Sequence, residues 1–239
     1  MLMTEKKFQI SEIGLVKITK KRGLKRMTLS VKANGEIRMS IPYSVSFSSA
    51  EKFILAKKNW IIKSRKKISE KEKTKTIFTP DTDFSTKFHK LLFISGNKTR
   101  IIISDTYIKV YYSENIRFQD ENFQNYIRRG ITETLRSEAK EYLPQRTDFL
   151  ANKYGFTFEK VSVRNAKTRW GSCSGKNNIS LNIHLMRLPE YLSDYVILHE
   201  LCHTVEKNHG KNFWALLDKV SGNAKGLDKE LKNYSPNIY

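Results

Sequence analysis

The stretch Tyr195-Val-Ile-Leu-His-Glu-Leu-Cys-His-Thr-Val-Glu-Lys-Asn-His-Gly-Lys-Asn-Phe-Trp214 decides the fold. It contains the pattern His-Glu-x-x-His at His199, Glu200 and His203. On an α-helix, positions i and i+4 lie about 40° apart, so both imidazoles leave one face about one turn apart. That spacing brings two neutral nitrogens to a single zinc ion at about 2.0–2.1 Å. Glu200 sits beside the first ligand and is placed to act as general base, taking the proton of an attacking water without binding metal itself. A catalytic zinc keeps three protein ligands and one open position. His209 is the expected third. The chain is expected to turn at Asn208-His209-Gly210, where Asn tolerates left-handed backbone and Gly adopts it freely.

A His pair at helical spacing also occurs on ordinary surfaces, so the surroundings matter. Val196, Ile197, Leu198 and Leu201 make the helix apolar around the pair, as a buried active-site helix requires. A further helix is expected to start at Phe213-Trp214 and to close the site from one side.

The 239 residues, 39% of them hydrophobic, suffice for one large domain or two small ones. No run approaches the roughly 18 apolar residues of a membrane span, and the opening Met-Leu-Met-Thr-Glu-Lys-Lys lacks the features of a signal peptide. Cys173 and Cys202 make no disulfide framework, which points to reduced thiols in a cytoplasmic protein. Cys202 is turned off the ligand face and is expected to pack. The net charge of +20 is uneven: residues 1–75 carry 20 Lys and Arg against 6 Asp and Glu. Such a basic segment is the footprint expected for contact with DNA, RNA or another polyanion. A solvated lysine-rich surface is the competing explanation, since aromatic residues are not interleaved with the basic runs.

In chain order, Phe8 to Ile18 reads as a first strand. Met27, Leu29 and Val31, then Ile37, Met39 and Ile41, alternate around Asn34-Gly35 as a hairpin that Pro42 ends. Ser48 or Ser49 caps a basic helix reaching about residue 72. Strands follow at 90–94, 99–103 and 107–112. The first half thus reads as an antiparallel β assembly with one helix, residues 1–115, and the rest as a second domain, 116–239. From Glu121 an amphipathic face runs through Phe123, Ile127, Ile131 and Leu135 to Leu143. Pro144 kinks that helix or starts another, and Gly155 caps its end. Short strands are expected at 158–164, 168–174 and 179–182 before Pro189 opens the metal helix. The fold class is α+β.

A peptidase also needs to hold an extended chain, and strands beside the metal helix suit main-chain pairing with substrate. Arg169 is a candidate to stabilise developing negative charge, Trp170 and Asn182 to contact substrate or, for Asn182, to orient a ligand. Trp170 also suits a core position, and Arg169 an ion pair with Asp194 or Glu206. Glu206 lies near His199 around the helix and is a candidate to orient a ligand or compete as one.

Taken together, Arg169-Trp-Gly-Ser-Cys173, Ile179-Ser-Leu-Asn182, the His-Glu-x-x-His helix and Asn208-His-Gly-Lys-Asn-Phe-Trp214 resemble the YgjP-like metallopeptidase family, a relative of the SprT and WLM zincins. Arg26-Met-Thr-Leu-Ser-Val and Asn34-Gly-Glu-Ile-Arg-Met-Ser-Ile-Pro42 resemble its opening. The resemblance implies a minimal gluzincin-like core, zinc held by His199, His203 and His209, Glu200 as base, and a protein or peptide substrate. Its SprT relatives imply action on nucleic-acid-associated proteins, and a nucleotide-hydrolysing role has also been attached to the family. Metzincins are the competing zincins, but they place glycine where Glu206 stands and need a methionine turn, and no Met follows Met186. Three functions are therefore carried forward: a zinc metallopeptidase, a zinc-dependent nucleoside triphosphate phosphohydrolase, and a nucleic-acid-binding protein with a structural zinc.

Overall fold

The computed structural model describes residues 4–32, 34–73 and 76–236. Its opening is a hairpin where a single strand is expected: β1 (Glu5–Ile10) pairs antiparallel with β2 (Gly14–Lys20), Phe8 opposite Val16. The reversal passes through Glu12 at φ 64° and Gly14 at φ 85°. A positive φ at glutamate leaves no signature in sequence, since that region is ordinarily a Gly or Asn preference. β3 (Thr28–Val31) and β4 (Ile37–Ile41) form the expected antiparallel pair, Leu29 opposite Met39, with Gly35 at φ 78° in the turn. The sheet runs β1-β2-β4-β3, and β2 and β4 are parallel, so the assembly is mixed rather than wholly antiparallel.

The expected single helix is two, α1 (Phe47–Ala56) and α2 (Lys58–Lys73), broken at Lys57. Ser46, not Ser48 or Ser49, caps α1 by accepting from the Ser49 amide. Ala50, Ile54 and Ile61 seal the sheet's apolar face of Val16, Ile18, Ile37, Met39 and Ile41, all essentially without exposure.

The chain divides between Lys75 and Thr76 into two compact units, well before the change from strand to helix near residue 115 where a boundary is expected. Packing is the reason. Phe78, Leu91, Ile108 and Val110 share one core with Phe123, Ile127, Ile131 and Leu135 of the long helix that follows. In this second unit β5 (Lys90–Ser95), β6 (Arg100–Ile103) and β7 (Tyr107–Tyr112) lie in the order β5-β7-β6, with β5 and β7 parallel.

The long helix α3 (Glu121–Tyr154) is capped by Asp120, whose carboxylate accepts from the Phe123 amide, and ends at Gly155 at φ 74°. Pro144 neither ends it nor begins another helix. A proline removes one intrahelical bond and crowds the preceding turn, but Leu143, Thr147 and Leu150, all buried, hold the flanks in the core. β8 (Lys160–Arg164), β9 (Gly171–Cys173) and β10 (Asn178–Asn182) then form a small mixed sheet in the order β8-β10-β9, with β9 at its edge. After a 3-10 turn (Ile183–Arg187) and Pro189 come α4 (Glu190–Val205), α5 (Lys211–Ser221) and α6 (Ala224–Leu231). Leu192, Tyr195, Ile197, Leu198 and Leu201 bury α4 in the core. The Arg146 fork on α3 pins it, with Nε 2.7 Å and Nη2 2.5 Å from the two Asp194 carboxylate oxygens. The class is α+β, with small mixed sheets and the helices packed on them. No helix among the described residues is long and apolar enough to cross a membrane.

Candidate metal centre

α4 carries His199 and His203 one turn apart, and the chain returns His209 to them after the helix stops at Val205. The return uses no left-handed residue. Glu206 is extended at φ −108°, and Gly210, at φ −77° and ψ −174°, precedes α5 in backbone open to any residue. The left-handed turn expected at Asn208-His209-Gly210 is absent, and the return is made at negative φ.

Three imidazole nitrogens meet there. His209 Nε2 lies 3.0 Å from His199 Nε2 and 3.1 Å from His203 Nε2, and among the described residues this trio is the one group of potential metal ligands within 4.8 Å of one another. Nitrogens bound tetrahedrally at about 2.0–2.1 Å would sit about 3.3–3.4 Å apart, a few tenths from the observed triangle. His203 Nδ1 stands 2.9 Å from the Glu206 carbonyl and donates to it. That bond fixes the tautomer and leaves Nε2 as the lone-pair nitrogen. Burial, then the two neighbouring imidazoles, hold His199 down to about 4, and burial also lowers His203. Three imidazoles whose ring nitrogens converge on one point fit a divalent metal.

Phe213 forms the floor. Fully buried, it stacks on His203 at 4.5 Å and 26°, and meets His199 and His209 edge-on at 4.9 and 4.7 Å. Trp214 lies 6.2 Å from His209. Both aromatics thus stand where the sequence places them, although Phe213 packs beneath the rings.

Glu200 is 6% exposed, and burial pushes its carboxyl up to about 7 against the opposing pull of the Arg169 charge. Its neighbour is Gly171 of β9, where a Cβ would stand 2.6 Å from Oε1 and 2.7 Å from Cγ. Gly171 had no assigned role in the sequence reading, although it lies inside the Trp-Gly-Ser run. Its absent side chain is what admits the carboxylate between helix and strand.

The remaining candidates separate. Arg169 is exposed and close enough to act on Glu200. Asp194, one of its expected partners, belongs to Arg146. Trp170 is half-buried at the core's margin and lines, with Arg164, Arg169, Gly171, Ser172 and Ser180, a cleft of about 260 Å³. Asn182 is 1% exposed: its Nδ2 donates to the Ala166 and Arg169 carbonyls, and its Oδ1 accepts from the His184 amide. With both donors engaged on backbone, Asn182 shapes the loop that carries Arg169, and it also lines that cleft. Glu206 touches the cluster through its carbonyl, and its carboxylate is outside the trio. Cys202 is fully buried and its thiol is pushed up to about 12, so it packs. Cys173 is likewise unpaired.

A family model for the YgjP-like metallopeptidase domain matches residues 25–234. The chain belongs to the YgjP-like metallopeptidase family. The match spans most of both units, including the basic first one. Two solved structures show partial likeness: the metallopeptidase zymogens of Pyrococcus abyssi abylysin (25% identity, 37% of this chain and 91% of that one, TM-score 0.34) and of Methanocaldococcus jannaschii jannalysin (21%, 37% and 92%, 0.34). No curated protein matches the chain.

Proposed function

We propose that this YgjP-like protein is a zinc-dependent peptidase in which His199, His203 and His209 hold the metal and Glu200 is the general base. The observation that carries the reading is the convergence of three Nε2 atoms within 3.1 Å of their neighbours beside a carboxyl that burial raises to about 7. A zinc ion at such a site supplies Lewis-acid polarisation of a scissile carbonyl. Glu200 takes the proton of the attacking water and returns it to the leaving amine. Arg169, exposed beside it, supplies positive charge for the oxyanion that develops. A structural zinc alone would need neither Glu200 nor an open position, which argues against the purely nucleic-acid-binding reading. The excess of basic residues in 1–75 supports substrates associated with DNA or RNA.

A second reading has its own observation. The cleft that Gly171 shares with Arg164, Arg169, Ser172 and Ser180 suits an anionic group, which favours hydrolysis of nucleoside triphosphates by the same base. The zinc-loaded protein, incubated with unfolded protein and nucleoside triphosphates together and read by mass spectrometry, separates the two. Peptide fragments support the first. Nucleotide products with intact protein overturn it in favour of the second.

A further inference from the structure

The first unit leaves one indole uncovered beside the outermost strand of its sheet. Trp60 of α2 is 46% exposed. With Leu29 of β3, Phe53 of α1 and Lys57 it lines a groove of about 210 Å³. Ile61, the next residue, is fully buried and holds α2 to the core without it. Among the described residues no second ring stacks on Trp60 and no cation lies over it. A large aromatic ring left to water in this way suits a surface that a partner covers.

The charge around the groove says which partner. Residues 47–73 carry nine Lys and Arg against three Glu. Lys58 is engaged by Glu12 at 2.7 Å, whereas Lys57, Lys63 and Lys67 pair with no described carboxylate. Lys63 and Lys67 follow Trp60 at helical spacing, so they share its side of α2, and both are exposed. The groove thus presents a flat apolar ring among uncompensated positive charges. A nucleotide strand complements both features, with bases that stack and phosphates that pair with lysines.

We propose that this groove takes an unpaired base of a single-stranded nucleic acid, stacked on Trp60, with Lys57, Lys63 and Lys67 meeting the adjoining phosphates. The proposal rests on the reading of the basic unit as a contact for DNA or RNA, and gives that contact a place and a strand class. Every base has a π-face, so an aromatic platform accepts any sequence. In a duplex those faces are covered by neighbouring pairs, so a single strand is the fitting occupant. The groove is smaller than the roughly 300–1,000 Å³ of small-molecule sites. It therefore suits one ring of a longer ligand.

Fluorescence anisotropy of labelled strands with the full-length protein tests this, using short oligodeoxyuridine, oligouridine, an abasic strand of equal length and a duplex. The abasic strand keeps every phosphate and lacks every base. Wild type is expected to bind the uridine strands about tenfold more tightly than the abasic strand. Trp60→Ala should lower their affinity to that of the abasic strand and leave the slope of log K against log salt unchanged. Trp60→Phe, which keeps a ring, should recover part of the loss. The abasic comparison needs no variant, so the test stands even where Trp60→Ala fails to fold. Tighter binding of oligouridine assigns RNA, and tighter binding of oligodeoxyuridine assigns DNA. Equal affinity for uridine and abasic strands, affinity unchanged in Trp60→Ala, or Trp60-dependent preference for the duplex would overturn the proposal. Salt-steep binding in those cases leaves the polyanion contact standing without the stacked base. No strand bound at low salt would overturn both, and a Trp60-dependent dimer under those conditions would give the groove to a second copy of the chain.

Discussion

A methyl group on Gly171 would stand 2.6 Å from Oε1 of Glu200, so the carboxylate of α4 and the backbone of β9 occupy contact that only glycine permits. Gly171→Ala should therefore displace Glu200 by the better part of an ångström. A misplacement of that size costs on the order of a hundredfold in rate. Activity should fall by about that factor with zinc content unchanged. Full activity in Gly171→Ala would show that the position of Glu200 against β9 is immaterial.

Phe213 is expected to matter to the metal more than to the chemistry, because it packs against all three imidazoles. Phe213→Ala should destabilise the fold by about 3–5 kcal/mol, the usual cost of deleting a buried ring. Phe213→Leu should fold but bind zinc about tenfold more weakly, as loss of a ligand-supporting contact does. Chelator competition reads this directly. Zinc affinity equal to wild type in folded Phe213→Leu would rule the floor out as a support.

His184 gives the fold an acid sensitivity separate from the metal ligands. Buried beside Arg187, with burial the larger cause, it is held from 6.5 down to about 4. The unfolded chain takes the proton near pH 6.5 and the folded chain does not until near pH 4. Stability is therefore complete above pH 6.5 and falls as pH drops through that window. The loss between pH 7 and pH 5 should be about 2 kcal/mol from this group. Urea unfolding of wild type and His184→Gln at the two pH values isolates it. Equal slopes in the two proteins would refute the assignment.

The basic first unit leads to a salt-dependent contact. Binding to single- or double-stranded DNA should be detectable at low salt and weaken steeply as salt rises, with log K linear in log salt. Neutralising Lys63 and Lys67, both exposed on α2, should flatten that slope. Binding that ignores salt, or none at low salt, would dismiss the polyanion reading.

The parts of this structure legible in sequence are those where one residue type has one physical use. Asn34-Gly35 marks a turn because Gly35 must take φ 78°, Gly155 ends α3 for the same reason, and Pro189 precedes a helix start. What the sequence hid has no such marker. Glu12 adopts a positive φ without being Gly or Asn, and α1 breaks from α2 at Lys57 with neither Gly nor Pro. The parallel pairing of β5 with β7 depends on which edge of β7 is left free by β6, a long-range choice. At the site, the histidine trio was readable because helical spacing fixes where two of its side chains point. Glu206 is expected from sequence to act through its carboxylate, whereas it is its backbone carbonyl that receives His203. Asn182 reads in sequence as a contact for substrate or a ligand; it lines the cleft, and its burial and backbone bonds give it a structural part in the loop that sequence did not mark.

The central claim is that three imidazoles hold the metal and one neighbouring carboxylate does the proton transfer. Zinc content and hydrolysis measured side by side in wild type, Glu200→Gln and His209→Ala test it most directly. The account predicts one zinc per chain with hydrolysis in wild type. Glu200→Gln should keep the zinc but lose at least about a hundredfold in hydrolysis, and His209→Ala should lose both zinc affinity and hydrolysis. Undiminished hydrolysis by Glu200→Gln, or zinc held equally well by His209→Ala, would contradict it.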